Sequence, residues 1–196
     1  MKKRLFLTLV CIFLLSACSL AAPGAPTAVP TSVPTSSPAP TVTGAPTFTL
    51  SSPAFANGEA IPALYSCHGR SISPPLAWNE PPAGTKTFAL IADDPDAPGV
   101  FVHWIVYDIP ADRRGLPEDV AKQQELEDGM YQGLSGGAVF GYVGLCPPGQ
   151  KHHYSFRLYA LDTQIEKKKG VARTLLQDAM QGHILAESDL MGTYQP

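Results

Sequence analysis

The stretch LIADDPDAPGVFVHWIVYDIP, Leu90 to Pro110, constrains the fold more than any other part of the chain. Before the loop, Phe88, Leu90 and Ala92 alternate with Ala89 and Ile91; after it, Val102, Trp104 and Val106 alternate with His103, Ile105 and Tyr107. A period of two that is apolar on both faces marks strands in the middle of a buried sheet. Between them, Asp93-Asp94-Pro95-Asp96-Ala97-Pro98-Gly99 is acidic and stiff, because each proline fixes φ and biases its predecessor towards extended geometry. Such a loop holds carboxylates at the mouth of a sheet, with His103 on the return strand within reach. It reads as one wall of a polar site.

The N-terminus stands apart from this fold. Met1 to Cys18 carries Lys2, Lys3 and Arg4, an apolar run from Leu5 to Leu15, and small residues before the cysteine. That is the pattern of an export signal, residues 1–17. The run is shorter than the roughly 20 apolar residues of a membrane span. Leu15-Ser16-Ala17-Cys18 resembles a bacterial lipoprotein signal, which implies cleavage before Cys18 and lipid on its sulfur; a plain secretory signal with an incidental cysteine is the alternative. Residues 18–46 are built almost entirely from Ala, Pro, Ser, Thr, Val and Gly, without a charge. So little large apolar surface cannot offset the entropy of ordering, and the segment is expected to be a disordered tether. The layout is that of an exported lipoprotein, anchored on the outer side of the cytoplasmic membrane or on the outer membrane.

Residues 47–196 are long enough for one domain with a real core. Of the 14 lysines and arginines, three lie in the signal, which leaves 11 against 17 acidic residues. This balance argues against nucleic acid as a partner, though one local pocket can still take a small anion. The domain keeps Cys67 and Cys146. In an oxidising exterior one disulfide between them is the favoured reading, two separate thiols the rival.

In chain order, Phe48–Ser52 and Ala63–Ser66 are expected as short strands around an Asn57-Gly58 turn, and Trp78 and Trp104 as core residues. Glu118–Leu126 reads as a helical turn or two and Gly129–Gly137 as loop. A second stiff loop, Gly141 to Lys151, carries Gly144 and the pair Pro147-Pro148, and leads into an aromatic strand ending at Leu161. Adjacent His152 and His153 face opposite ways on a strand, so only one can join His103. Gly170–Gly182 has the apolar stripe of a helix, Val171, Leu175, Leu176, Ala179 and Met180, and Ile184–Tyr194 reads as a last strand.

Together, DPDAP followed by HW, then GLCPP, HHY, LYALD and GHILAESDLMGTY, resemble the phosphatidylethanolamine-binding protein (PEBP) family, in its bacterial Raf-kinase-inhibitor-like branch. The resemblance covers nearly all of 47–194. It implies a mainly β fold, a β-sandwich with Greek-key strands and a few peripheral helices, and a small pocket at one end where phosphate-like groups bind. Carried over, the pocket uses Asp94, Asp96, His103, Pro147, Pro148, His152 and Tyr154. A carboxylate beside His103 would raise its pKa and make it a positive donor, and the Tyr154 hydroxyl would donate as well. Without the resemblance, ordinary hydrogen-bonded histidines and turn-capping aspartates are the plainer reading.

The chain departs from the family at several places. It has GLCPP for GPCPP and HHY for HRY, which removes an arginine beside the pocket, and Gly133-Leu134-Ser135 where a GxND pattern is usual. It reaches Pro196 without the longer C-terminal helix of the animal proteins, so a more open pocket is expected. The expected function is binding without catalysis, the partner being a phosphate-bearing small molecule or lipid headgroup, with a membrane engaged through the anchor. No cofactor and no metal is expected, because His103, His152 and Asp94 follow no zinc-ligand spacing. The alternatives are an extracellular protease inhibitor or other protein-interaction module, and a hydrolase using Cys146 and a histidine. No protein partner is specified. Inhibition of a cytoplasmic kinase does not suit an exported chain.

Overall fold

The computed structural model describes residues 47–166 and 170–196. The segments expected as an export signal and a disordered tether, with Cys18, lie outside the described residues. In chain order the strands are β1 (Leu50–Ser51), β2 (Leu76–Trp78), β3 (Thr87–Asp94), β4 (Phe101–Pro110), β5 (Gly115–Leu116), β6 (Tyr131–Gln132), β7 (Leu134–Ser135), β8 (Val139–Phe140), β9 (His152–Leu161) and β10 (Ile184–Tyr194), with helix α1 (Arg173–Met180) between the last two. The main sheet has the order β10-β9-β3-β4-β6, all antiparallel. β9 arrives from far along the chain to lie beside β3, a long connection of the Greek-key kind. A smaller sheet, β1-β2-β5, completes the sandwich.

The double-sided alternation of β3 and β4 explains their central place. One face, with Phe88, Leu90, Trp104 and Val106, packs with Phe156 and Leu158 of β9 against Leu50, Leu76 and Trp78 of the small sheet. The other, with Ala89, Ile91, Ile105 and Tyr107, packs against Ile165, Val171, Leu176 and Met180 around α1. Burying each large side chain contributes about 2 kcal/mol. All of β3 is buried.

Three local expectations change. Ala63–Tyr65 is a turn of 3-10 helix after Pro62, whose φ of −56° starts the turn, and Ser66 alone bridges to Leu145. Residues 118–126 hold no helix, because the buried Gln132 amide donates to the carbonyls of Ala121 and Gln123, both at 2.7 Å. The same side chain accepts from Trp104 Nε1 at 2.7 Å, so a polar core group ties this irregular run of turn and bends to the core. Within 129–137, expected as loop, β6 and β7 form.

The register matters most at the end of β4. Ala92 pairs with Trp104 but Asp93 with Val102, so His103 is an extra residue in a β-bulge. Simple alternation would place His103 with Ile105 and Tyr107. The bulge turns it instead to the face of Trp104, where its ring meets Tyr154 edge-on at 5.3 Å.

Candidate functional site

The site forms where β3, β4 and β9 meet the two stiff loops. Asp94 closes β3. Its Oδ1 accepts the N–H groups of Asp96 (2.9 Å) and Ala97 (3.0 Å), a side-chain cap that folds the first loop back on itself. Its Oδ2 accepts from His152 Nδ1 at 2.7 Å. Asp96, two residues on, accepts from His153 through both the backbone N–H (2.8 Å) and Nδ1 (2.7 Å). Two parallel Asp–His pairs, one buried and one exposed, therefore clip the loop to β9.

The second loop is held against β4 and the segment after the 3-10 turn. Val143 N–H donates to the His103 carbonyl at 2.8 Å, and Gly144 N–H to Ser71 Oγ at 2.9 Å. A Cβ on Gly144 would come within 2.4 Å of that oxygen, so glycine is required here for space. Cys67 and Cys146 are joined as a disulfide, their Cα atoms 5.4 Å apart. The bridge occupies the Cys146 sulfur, so a cysteine nucleophile there would first need this bond broken.

Between the loops opens a cavity of about 190 Å³ lined by Asp94, His103 and His152 together with apolar Pro98, Phe101, Val143, Pro147 and Pro148. A hollow of about 390 Å³ elsewhere, beside α1, contains one histidine, His183, already taken up by Asp162 at 2.8 Å. The smaller cavity is the one with buried ionisable groups aimed into it. Of the residues expected in a pocket, Asp94, His103, Pro147, Pro148 and His152 line it. Asp96 does not; it sits outside with His153. Tyr154 lies beneath His103, its hydroxyl beside Asp94 but without a well-aligned hydrogen bond.

His103 is 3 % exposed, and its Nδ1 donates to the Val143 carbonyl at 2.8 Å, which leaves Nε2 as its other nitrogen. Burial pushes its pKa below the ordinary 6.5; the Val143 carbonyl and the charges of Asp94 and Asp93 pull upward but do not prevail. The expected rise is thus reversed, because burial outweighs the upward pull of Asp94, whose own hydrogen bonds go to His152 and the loop. Burial, followed by the Asp94 charge, pushes the Tyr154 phenol up, so it stays protonated. No set of three or more His, Cys, Asp or Glu suited to a metal ion occurs among the described residues. Phe101, Val143 and Pro98 were not anticipated in the wall. Phe101 carried one usable signal, lying two residues before His103 at a strand start.

A family model described as phosphatidylethanolamine-binding protein matches residues 51–195. The chain belongs to the phosphatidylethanolamine-binding protein family. Among its relatives, a UPF0098 protein of Methanothermobacter thermautotrophicus is 45% identical over 147 residues, 74% of this chain and 97% of the relative. One of Aquifex aeolicus is 45% identical over 148 residues, 74% of this chain and 86% of the relative. Two solved structures share the PEBP fold. The Chlamydia trachomatis PEBP homologue CT736 superposes with a TM-score of 0.71 at 40% identity, covering 76% of this chain and 98% of its own. E. coli YbcL, titled a new member of the mammalian PEBP family, gives 0.70 at 31%, with the same coverage. The names of these PEBP relatives state no enzymatic activity.

Proposed function

We propose that this PEBP-family protein is a non-catalytic receptor for a small phosphate-type anion, free or as the headgroup of a larger molecule, held outside the cell by lipid on Cys18. The observation that carries the reading is the convergence of His103 and His152 on one small cavity, each with its Nδ1 engaged and its Nε2 left over. No lysine or arginine lines this cavity. The charge of an anion must then be met by imidazolium, and because burial keeps His103 neutral, binding brings a proton with it. Protonated His103 donates from Nε2 to an anion oxygen, while Asp94 holds the His152 ring at the cavity wall. Pro98, Phe101, Pro147 and Pro148 give the cavity an apolar rim, and a less polar surrounding strengthens such a bond.

The test is calorimetric titration of the purified protein with inorganic phosphate and with phosphoethanolamine, in buffers of different ionisation heat. Saturable binding that tightens below about pH 6.5, takes up a proton and disappears in His103→Gln is expected. No saturable binding between about pH 5 and pH 8 would sink the reading. Anchoring is checked separately by labelled fatty acid, whose incorporation is expected in the wild type and lost in Cys18→Ser.

A further inference from the structure

The disulfide is placed unusually for a structural staple. Both Cys67 and Cys146 are solvent-exposed, and Cys146 also lines the cavity. On its N-terminal side the chain is anchored without the bridge: Cys67 N–H donates to the Leu145 carbonyl (2.9 Å), and Gly144 N–H to Ser71 Oγ (2.9 Å). On the far side β9 begins at His152, paired with Tyr194. Between these anchors, 146–151 carries an internal bond from Gly149 N–H to the Pro147 carbonyl (2.8 Å), and the Cys146 sulfur ties it to Cys67. The double-proline wall is thus fastened by a bond that solvent can reach.

A second observation makes the bridge asymmetric. His68 Nδ1 lies 3.6 Å from Cys67 Sγ and 3.2 Å from the Tyr194 hydroxyl. Thiol–disulfide exchange expels the sulfur whose thiolate is better stabilised, and a neighbouring imidazole N–H that can donate to it provides that stabilisation. Among the described residues no hydrogen bond is made to Cys146 Sγ, although His103 and His152 line the same cavity.

We propose that Cys67–Cys146 is a thiol-exchange site that controls the pocket, with Cys146 as the sulfur attacked and Cys67 as the leaving group. An external thiolate bonds to Cys146 Sγ as the S–S bond breaks, and Cys67 departs as a thiolate beside His68. A monothiol stays as a mixed disulfide on Cys146, at the pocket mouth. A dithiol reductant displaces it with its second sulfur, becoming oxidised by two electrons while both protein cysteines become thiols. The partner class is therefore a small thiol or an exported dithiol protein. Exchange releases 146–151 without disturbing the sheet, so the pocket loses its proline wall. This last consequence rests on the anion-receptor reading; the exchange chemistry does not.

The full chain, oxidised, is treated with glutathione near neutral pH, quenched, alkylated and peptide-mapped, in the wild type and in His68→Gln. Glutathione on Cys146 with alkylated Cys67 is expected, with slower exchange and weaker site preference in His68→Gln. Equal labelling of the two cysteines, or no effect of His68→Gln, would overturn the proposal. Hydrogen exchange on the dithiol-reduced protein should rise several-fold at 149–151 while β3 and β9 stay protected. Loss of protection throughout β3 and β9 would make the bridge a global staple and also overturn it. Phosphate affinity is expected to fall on reduction. If the oxidised protein binds no phosphate, the receptor reading fails alone, and the labelling and exchange results still decide for or against the switch.

Discussion

Asp93 and Asp94 are neighbours on β3 with opposite fates. Asp93 points to the helix side, fully buried, and meets Arg157 of β9 at 2.5 Å and Arg173 of α1 at 3.0 Å. Asp94 points to the other side, caps its own loop and orients His152 at a cavity. The first carboxylate is saturated by strong cations and pins a helix to a strand. The second is met by N–H groups and one imidazole, beside space that a ligand can enter. What separates structure from site is the partner set that each face supplies, since residue type and burial are the same.

The largest expected effect comes from breaking the saturated side. Asp93→Ala leaves two arginines, each about a quarter exposed, facing one another without a counter-charge. Removing one member of such a cluster should cost about 3 kcal/mol, measured by urea unfolding. Asp94→Asn keeps an oxygen for the loop N–H groups but loses the charge held by His152. Its stability loss should be about 1 kcal/mol, while phosphate affinity in the same titration falls far more. A variant that lost stability like Asp93→Ala and kept its affinity would abolish the distinction.

The pH dependence sharpens it further. Folding lowers the proton affinity of His103. Its contribution to stability is therefore complete above the ordinary value of 6.5 and is lost as pH falls through the lower folded value. Unfolding free energies measured across that window should decline towards acid in the wild type and be flatter in His103→Gln. Saturating phosphate should restore the wild type there, because the anion stabilises the protonated ring. The smallest effect belongs to the outer pair, where Asp96 and His153 have side chains 40% and 47% exposed. Asp96→Ala should change stability by less than about 1 kcal/mol, and less still in high salt.

Much of this was legible in the chain. Ile184–Tyr194 is a strand over the range its pattern indicates, and the apolar stripe of Gly170–Gly182 yields α1, with Leu176 and Met180 buried although Leu175 is exposed. The opposite orientation of His152 and His153 follows from strand geometry alone and is found, with His152 inward. Less legible was 118–126, where a helix is given up to a side chain from β6. Gln132 is remote enough in sequence that no local pattern announces it.

The sequence by itself determined the two-faced central strands, the two stiff proline loops, the pair of cysteines and the family to which they belong. All of these depend on residue type and on spacing of a few positions, which a linear chain displays. Only the tertiary structure decided that His103 faces the cavity, because a bulge is set by counting residues on both partner strands. It also decided that Asp94 serves His152 while Asp96 stays outside, and that burial makes His103 a poor base. Orientation, pairing and desolvation are relations between segments brought together by packing, and they exist only once the chain has folded.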